Sequence, residues 1–228
     1  MERLAKIISR SGFCSRREAE RIIQEGRVTK NKVQVTEVVT LASIEDVIEI
    51  DGVMLFIPKT KLWKYYKPRG IITTHKDPGG RPTIFENINI SSHIISIGRL
   101  DIESEGLLLL TNSGELARQY ELPSNNFARQ YKVKAYGKYK SKDLEYLRSG
   151  IEVDGIKYKP CDISLIKTNN SNHWFHVTLY EGKNREIRKI FNSINMMVSR
   201  LIRTDYGPFS IEQMKPGEIK EVKGFIDS

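Results

Sequence analysis

The chain has 228 residues, of which 39% are hydrophobic and 29% charged, which excludes disorder and fits one large domain or two unequal ones. Its longest apolar run, residues 106–110, is far short of a membrane span; the start Met1-Glu2-Arg3-Leu4-Ala5-Lys6 has no signal-peptide core, and Cys14 and Cys161 make no disulfide framework or metal cluster, so inert thiols, no membrane and a cytoplasmic location are expected. The excess of 37 Lys+Arg over 28 Asp+Glu, a net +9, points to a polyanionic partner without identifying the chemistry.

Leu4, Ile7 and Ile8 keep helical spacing until residues 9–12 break it. Ser15, with Glu18 three residues on, caps a second helix that buries Ala19, Ile22 and Ile23 and ends at Gly26. Residues 27–35 alternate as a hairpin about Lys30-Asn31-Lys32, and residues 47–52 close the unit as a strand and turn. Residues 1–36 carry a net +5 and residues 37–57 a net −5, the segregation of a basic face from an acidic back. Arg16, Arg17 and Arg21 lie on the second helix and Arg27 at its exit. A solvated face neutralised by Glu18, Glu20 and Glu25 is the plain reading of these residues. Residues 57–61 form the linker.

Helix, turn, helix and strand, with Ser-Arg-Arg-Glu-Ala at a helix start and Gly-Arg-Val at its end, resemble the S-four-type (alpha-L) RNA-binding domain over residues 1–56. The resemblance implies that Arg16, Arg17, Arg21 and Arg27 contact phosphates, which position RNA without reading sequence. Asn31-Lys32 replaces the Asn-Gly common in that hairpin and is expected to alter the turn type.

Residues 62–228 alternate strands and helices without a Rossmann fingerprint or a phosphate loop. Strands are expected at residues 62–67, 94–100, 107–111, 131–136, 151–156 and 174–179, and helices at 115–121, 142–148 and 185–194. In the last helix Ile187, Ile190, Phe191 and Ile194 face inward, with Arg185, Arg188 and Lys189 largely outward. The expected class is α+β: a small helix-turn-helix/strand domain plus a catalytic domain with a mixed, mainly antiparallel sheet flanked by helices.

Two apolar strands enclose the loop Asp101-Ile102-Glu103-Ser104-Glu105-Gly106. Strand ends are rigid mounts from which a loop carboxylate can enter a cleft. The acids could be merely solvated. Paired carboxylates could also serve a glycosidase, Asp101 acting with Glu103 or Glu105, but no aromatic sugar platform lies near them in sequence.

Gly98-Arg99-Leu100-Asp101 and Ser104-Glu105-Gly106-Leu107-Leu108-Leu109-Leu110-Thr111-Asn112 closely resemble the active-site motif of bacterial rRNA pseudouridine synthases of the RsuA/RluB type. Threonine is common in that family at Ser104, and Asp-Gly at Ser113-Gly114. The resemblance runs through Lys64, Pro68 and Gly70, Tyr131-Lys132-Val133, residues 181–189 and Arg200-Leu201-Ile202-Arg203. It implies cofactor-free isomerisation of uridine, with Asp101 acting as nucleophile or as base at the ribose. Lys183, or second Arg188, would be the cation that keeps Asp101 ionised. Tyr131 would stack on the uracil and help with the proton at carbon 5.

The target base must leave its stack to be reached, with Arg99, Leu201 and Arg188 supporting it. Lys132, Lys134, Arg185, Lys189, Arg200 and Arg203 would form a phosphate track. Arg3-Leu4-Ala5-Lys6-Ile7 and Cys14-Ser15-Arg16-Arg17-Glu18 look more like the RluB branch, which implies large-subunit (23S) rRNA or a pre-ribosomal particle as partner, a small-subunit (16S) target being the alternative. A monomer is expected. A non-catalytic RNA- or ribosome-binding protein on the same fold is a rival that the intact Asp101, Tyr131 and Lys183 set disfavours.

Overall fold

Leu4, Ala5, Ile7 and Ile8 form one buried stripe, which folds Leu4–Ser11 into α1 behind a two-residue strand, β1 (Glu2–Arg3). The structure is a computed structural model and describes residues 1–43, 45–75, 77–88, 90 and 93–224; the end of the expected catalytic segment, 225–228, lies outside the described residues. α1 runs through the polar residues expected to break it and stops at Gly12, whose φ of 88° suits glycine. α2 (Arg16–Gln24) starts at Ser15, whose hydroxyl accepts from the Glu18 amide, while the Glu18 carboxylate turns to Arg21.

Four short strands follow α2 and pack beneath the helices: β2 (Val28–Lys30), β3 (Val33–Val35), then, after β4 (Leu41–Ala42) pairs with β1, β5 (Ile48–Ile50) and β6 (Val53–Met54). The order β3-β2-β5-β6 is antiparallel, and Val28, Ile48 and Ile50 join the core of α1 and α2. The hairpin turn corrects the sequence expectation. Asn31 and Lys32 both have positive φ, 51° and 68°, as a primed two-residue turn needs, so the turn type is kept and Lys32 bears the strain. The Asn31 amide fixes the turn from the side, donating to Asp46 and accepting from the Val47 amide. Lys32→Gly is therefore expected to stabilise the protein by about 0.5–1 kcal/mol, raising its thermal midpoint by about 2 °C. A calorimetric scan showing a lower midpoint would contradict this.

The larger part comprises β7 (Leu62–Lys67), β8 (Ile95–Ile97), β9 (Glu105–Thr111), α3 (Gly114–Glu121), β10 (Arg129–Tyr136), α4 (Ser141–Arg148), β11 (Glu152–Val153), β12 (Ile156–Lys157), β13 (Asp162–Asn169), β14 (Asn172–Leu179), α5 (Glu186–Asn192), β15 (Met197–Tyr206), β16 (Phe209–Ser210) and β17 (Ile219–Glu221). Among the described residues its main sheet runs β13-β14-β10-β15-β9-β7-β17, with β16 on β15 and β8 on β9. Only β15 and β9 pair in parallel there. The sheet is mixed and mainly antiparallel, as expected.

Besides short strands such as β1, β4, β16 and β17, two long strands escaped the sequence reading. β13 is an edge strand exposed along most of its length, so it shows no burial alternation, and in β15 Arg200, Arg203 and Asp205 interrupt the apolar residues.

Alternation along β10 sets the geography of the site. Tyr131, Val133 and Ala135 face a core shared with Phe175, Val177, Leu201 and the helices α4 and α5. Lys132, Lys134 and Tyr136 must then point to the reverse face. On the other half of the sheet, α3 packs on Leu62, Leu107 and Leu109, while Trp63, Tyr65, Leu108 and Leu110 cover Ile84, Ile94 and Leu100.

The expected linker is held at both ends. Leu55 and Ile57 pack on the N-terminal core. The Asn112 side chain accepts from the Lys61 amide at 2.7 Å and donates to the Lys59 carbonyl at 2.9 Å, while the Thr111 hydroxyl donates to the Lys61 carbonyl. Lys6 on α1 also pairs with Glu115 on α3 at 2.7 Å.

Candidate active site

Asp101 stands where β8 hands the chain to β9, in a loop fixed by its backbone. The Ser104 amide donates to the Asp101 carbonyl (3.0 Å) and the Gly70 amide to the Ile102 carbonyl (2.8 Å). Thr73 donates through its hydroxyl to the Leu100 carbonyl, just before the loop. Lys67, fully buried at the end of β7, donates from Nζ to the carbonyls of Ser104 (2.8 Å) and Pro68 (3.1 Å). Burial pushes the Lys67 ammonium down to about 8, against the support of the Asp101 and Glu105 carboxylates. Sequence reasoning missed Lys67, quoting Lys64 and Pro68 instead. Strand alternation offered a signal, because Lys67 shares a face with buried Trp63 and Tyr65.

The loop leads into a cleft of about 900 Å³ lined by Arg99, Asp101, Tyr131, Lys183, Leu201 and Arg203, among others. The structure thus brings Asp101, Tyr131 and Leu201 together from three separate stretches of chain. Their surroundings differ from the expectation in several places. Lys183 does not reach Asp101: its Nζ pairs with Glu181 at 2.8 Å and donates to the Lys157 carbonyl. The nearest guanidinium is that of Arg185, expected only as a phosphate contact, with Nη1 3.9 Å from Asp101 Oδ2 and Nη2 3.6 Å from Glu103. Arg185 gains this reach by standing in the left-handed region, φ 52°, just before α5.

Arg188, expected to face outward, is inserted instead. Its Nη1 donates to the Val198 carbonyl at 2.9 Å and lies 3.7 Å from Glu103. Asp101 adds its field to that guanidinium, so Arg188 remains an electrostatic neighbour of the carboxylate.

Arg203 is no surface phosphate contact. It is buried, donates from Nε to the Leu107 carbonyl at 2.7 Å, and lies over the Tyr206 ring. Its Nη2 is buried with no partner among the described residues, a donor that an acceptor in the cleft would satisfy. Lys132, Lys134 and Arg200 stand on the reverse face, away from the cleft, and Arg200 pairs there with Glu105 at 2.6 Å. That pairing, with Glu103 held by Arg185 and Arg188, leaves neither glutamate lining the cleft beside Asp101, which removes the basis for the two-carboxylate glycosidase. Lys189 is half-buried on α5.

The basic helix α2 also differs from a bare basic face. Arg16 pairs with Glu20, Arg21 with Glu18 and Glu25, and Arg27 with Asp51, which leaves Arg17 without a carboxylate among the described residues. Exposed pairs of this kind are weak and screened by solvent and salt. The thiols meet the expectation: burial raises Cys14 and takes buried Cys161 to about 11.

Family models match the chain in two places, "S4 domain" over residues 2–48 and "RNA pseudouridylate synthase" over residues 61–193. The chain belongs to the RNA pseudouridine synthase family. It is 52% identical over 230 residues to an RNA pseudouridine synthase of Rickettsia felis, covering 99% of both chains. It is 36% identical to the ribosomal large subunit pseudouridine synthase B of Yersinia pestis, covering 94% of this chain and 70% of that protein. A crystal structure of a pseudouridylate synthase superposes with a TM-score of 0.69 at 23% identity over 97% of this chain and 96% of that one, which extends the likeness to the fold. The chain is thus an isomerase acting on RNA.

A carboxyl pair beside Lys183 makes this synthase's stability depend on pH. Glu186 accepts from the Lys183 amide at 3.0 Å and Glu181 from the Lys159 amide at 2.7 Å, and the two carboxyls bond to each other. Burial, reinforced by the Glu181 charge, pushes Glu186 up to about 7 from an ordinary 4.5. Between those values the folded state holds a proton that the unfolded state has lost, so stability falls as pH rises through the window. Glu186→Gln is expected to flatten that slope while keeping the acceptor for Lys183. Urea unfolding at pH 4.5, 6 and 8 checks it, and an unchanged slope in the variant would refute the assignment.

Proposed function

We propose that this synthase converts a uridine of large-subunit rRNA to pseudouridine with Asp101 as the reacting carboxylate. The observation that carries the reading is the convergence of Asp101, Tyr131, Leu201 and Arg99 on one cleft, with Asp101 on a loop pinned at both ends. The flipped uridine enters the cleft, where Tyr131 and Leu201 give the base an apolar wall and Arg99 supports the nucleotide. Asp101 acts at the ribose as nucleophile or as base, with the Arg185 guanidinium 3.9 Å from its carboxylate and Arg188 close by. Lys183 orders the Glu181–Glu186 wall of the cleft. The Nη2 of Arg203, unpartnered among the described residues, donates to an oxygen of the bound nucleotide.

The large-subunit target is supported by the likeness to the Yersinia pestis protein and by the N-terminal sequence. Residues 1–56 form the recognition domain, where Arg16, Arg17, Arg21 and Arg27 trade their carboxylates for phosphates, with the linker at 57–61 and the catalytic domain beyond it. The test is release of tritium from carbon 5 of labelled, pseudouridine-free 23S and 16S rRNA, followed by site mapping. Release from 23S at one site is the expected result. Release from 16S alone would move the target, and RNA binding without release would leave the binding-protein rival.

A further inference from the structure

The reverse face of the main sheet carries a row of side chains that the cleft does not use. In register across four strands, Arg200 on β15 stands opposite Lys134 on β10, Lys134 opposite Trp174 on β14, and Trp174 opposite Lys167 on β13. At about 4.8 Å between strands the row spans about 14 Å. The neighbouring row sets Ile202, Lys132, His176 and Ser164 side by side. Tyr136, 52% exposed, continues the surface beyond.

This face has an electrostatic excess that the protein itself leaves in place. Lys132, Lys134 and Lys167 have no carboxylate partner among the described residues, and Arg200 has only Glu105. Like charges directly opposite on neighbouring strands, as at Lys134 and Arg200, repel. The acids of the face, Asp162 and Asp205, lie two rows away, opposite Thr178 and Gln130. Among the described residues no helix covers this half of the sheet: α4 and α5 pack on the side of Tyr131 and Val133, and α3 packs on the β7–β9 half. The cleft opens on the opposite side, lined by Tyr131 and Leu201, the strand neighbours of Lys132 and Arg200.

We propose that this reverse face is a second RNA-binding surface, which holds a single-stranded segment by phosphate contacts from Lys134, Lys167 and Lys132 and by a base stacked on Trp174. Interleaved cations and rings on an open sheet match the chemistry of an unpaired strand, whose bases offer π-faces and whose backbone offers charge. A protein partner would use the cations but has less call for the rings. The proposal takes from the functional reading only that the chain works on RNA. The surface would grip an unpaired stretch flanking the target while the cleft holds the flipped nucleotide.

The test uses the full chain and a dodecamer of adenosine, which contains no uridine to isomerise. Binding is followed by anisotropy of the labelled oligomer and by tryptophan fluorescence. Of the two tryptophans, Trp63 is buried and Trp174 is on the face, so quenching is expected on binding and should vanish in Trp174→Phe. Lys134→Gln with Lys167→Gln should weaken binding several-fold and lower the salt slope by about 1.4, at roughly 0.7 per single-strand phosphate contact. The matching double change to Arg should retain both affinity and slope, which separates lost charge from lost fold. Saturation without quenching, or an unchanged slope in the glutamine pair, would overturn the proposal. Equal quenching by polyglutamate of the same length would overturn it too, making this a protein-docking face. Failure of tritium release from rRNA would sink the target assignment and leave these readouts unaffected.

Discussion

Asp101→Asn is expected to reduce isomerisation by at least about a thousandfold while leaving the fold and RNA affinity nearly unchanged. The side chains are almost the same shape, and the loop is held by the carbonyls of Asp101, Ile102 and Ser104, none of which the substitution touches. What the variant loses is the negative charge that faces Arg185 at 3.9 Å and the capacity to act as nucleophile or base. No other carboxylate can replace it: Glu103 sits between two arginines and Glu105 is paired with Arg200 on the other face. Single-turnover tritium release and the thermal midpoint should therefore part company, the first collapsing and the second holding. Wild-type turnover in the variant would remove Asp101 from the chemistry.

Gly106→Ala is expected to cost about 3 kcal/mol or more of stability and to impair turnover with it. Gly106 has φ of +107°, a region that side chains rarely adopt, and a Cβ there would lie 2.2 Å from the Arg203 carbonyl oxygen and 2.7 Å from its nitrogen. The neighbour is backbone and cannot step aside, because β15 is laddered to β10 on its other edge. This is the single parallel seam that joins the halves of the sheet, and it lies immediately after the Asp101 loop. Gly155→Ala is the control, since it has positive φ but nothing within 4 Å of its Cβ. Urea unfolding should find the Gly155 variant only about 1 kcal/mol down. Equal losses at the two positions would show that backbone strain, and not the close approach, sets the cost at Gly106.

Residue order alone determined a good deal of this protein. Periodicity gave α1, α2 and the helices of the larger part, because each must bury one stripe. Strict alternation gave β10, because it must bury one face. The Asp101 loop was legible as a polar loop between two apolar strands, but among its three acids only the resemblance to the synthase motif singled out Asp101. Arg16, Arg21 and Arg27 were legible as basic residues, and so were Glu18, Glu20 and Glu25 as their partners, whereas Asp51, which holds Arg27 from across the fold, was not.

Partnership was what the chain could not declare, because contacts between distant residues have no local signature. Lys183 and Arg185 are two positions apart, yet only the left-handed backbone at Arg185 decides which of them approaches Asp101. Lys132 and Tyr131 are adjacent, yet the pleat sends one to the open face and the other to the cleft. The phosphate track expected from sequence is therefore split between two surfaces, with Arg203 buried between them. Burial likewise made Lys67 and Glu186 unusual, since desolvation depends on what the rest of the fold places around a charge. Sequence fixed which groups were present and which elements carried them. Tertiary structure decided which groups meet, because the sheet's alternation and its strand pairings join segments far apart in the chain, as Gly106 with Arg203 and Trp63 with Glu221.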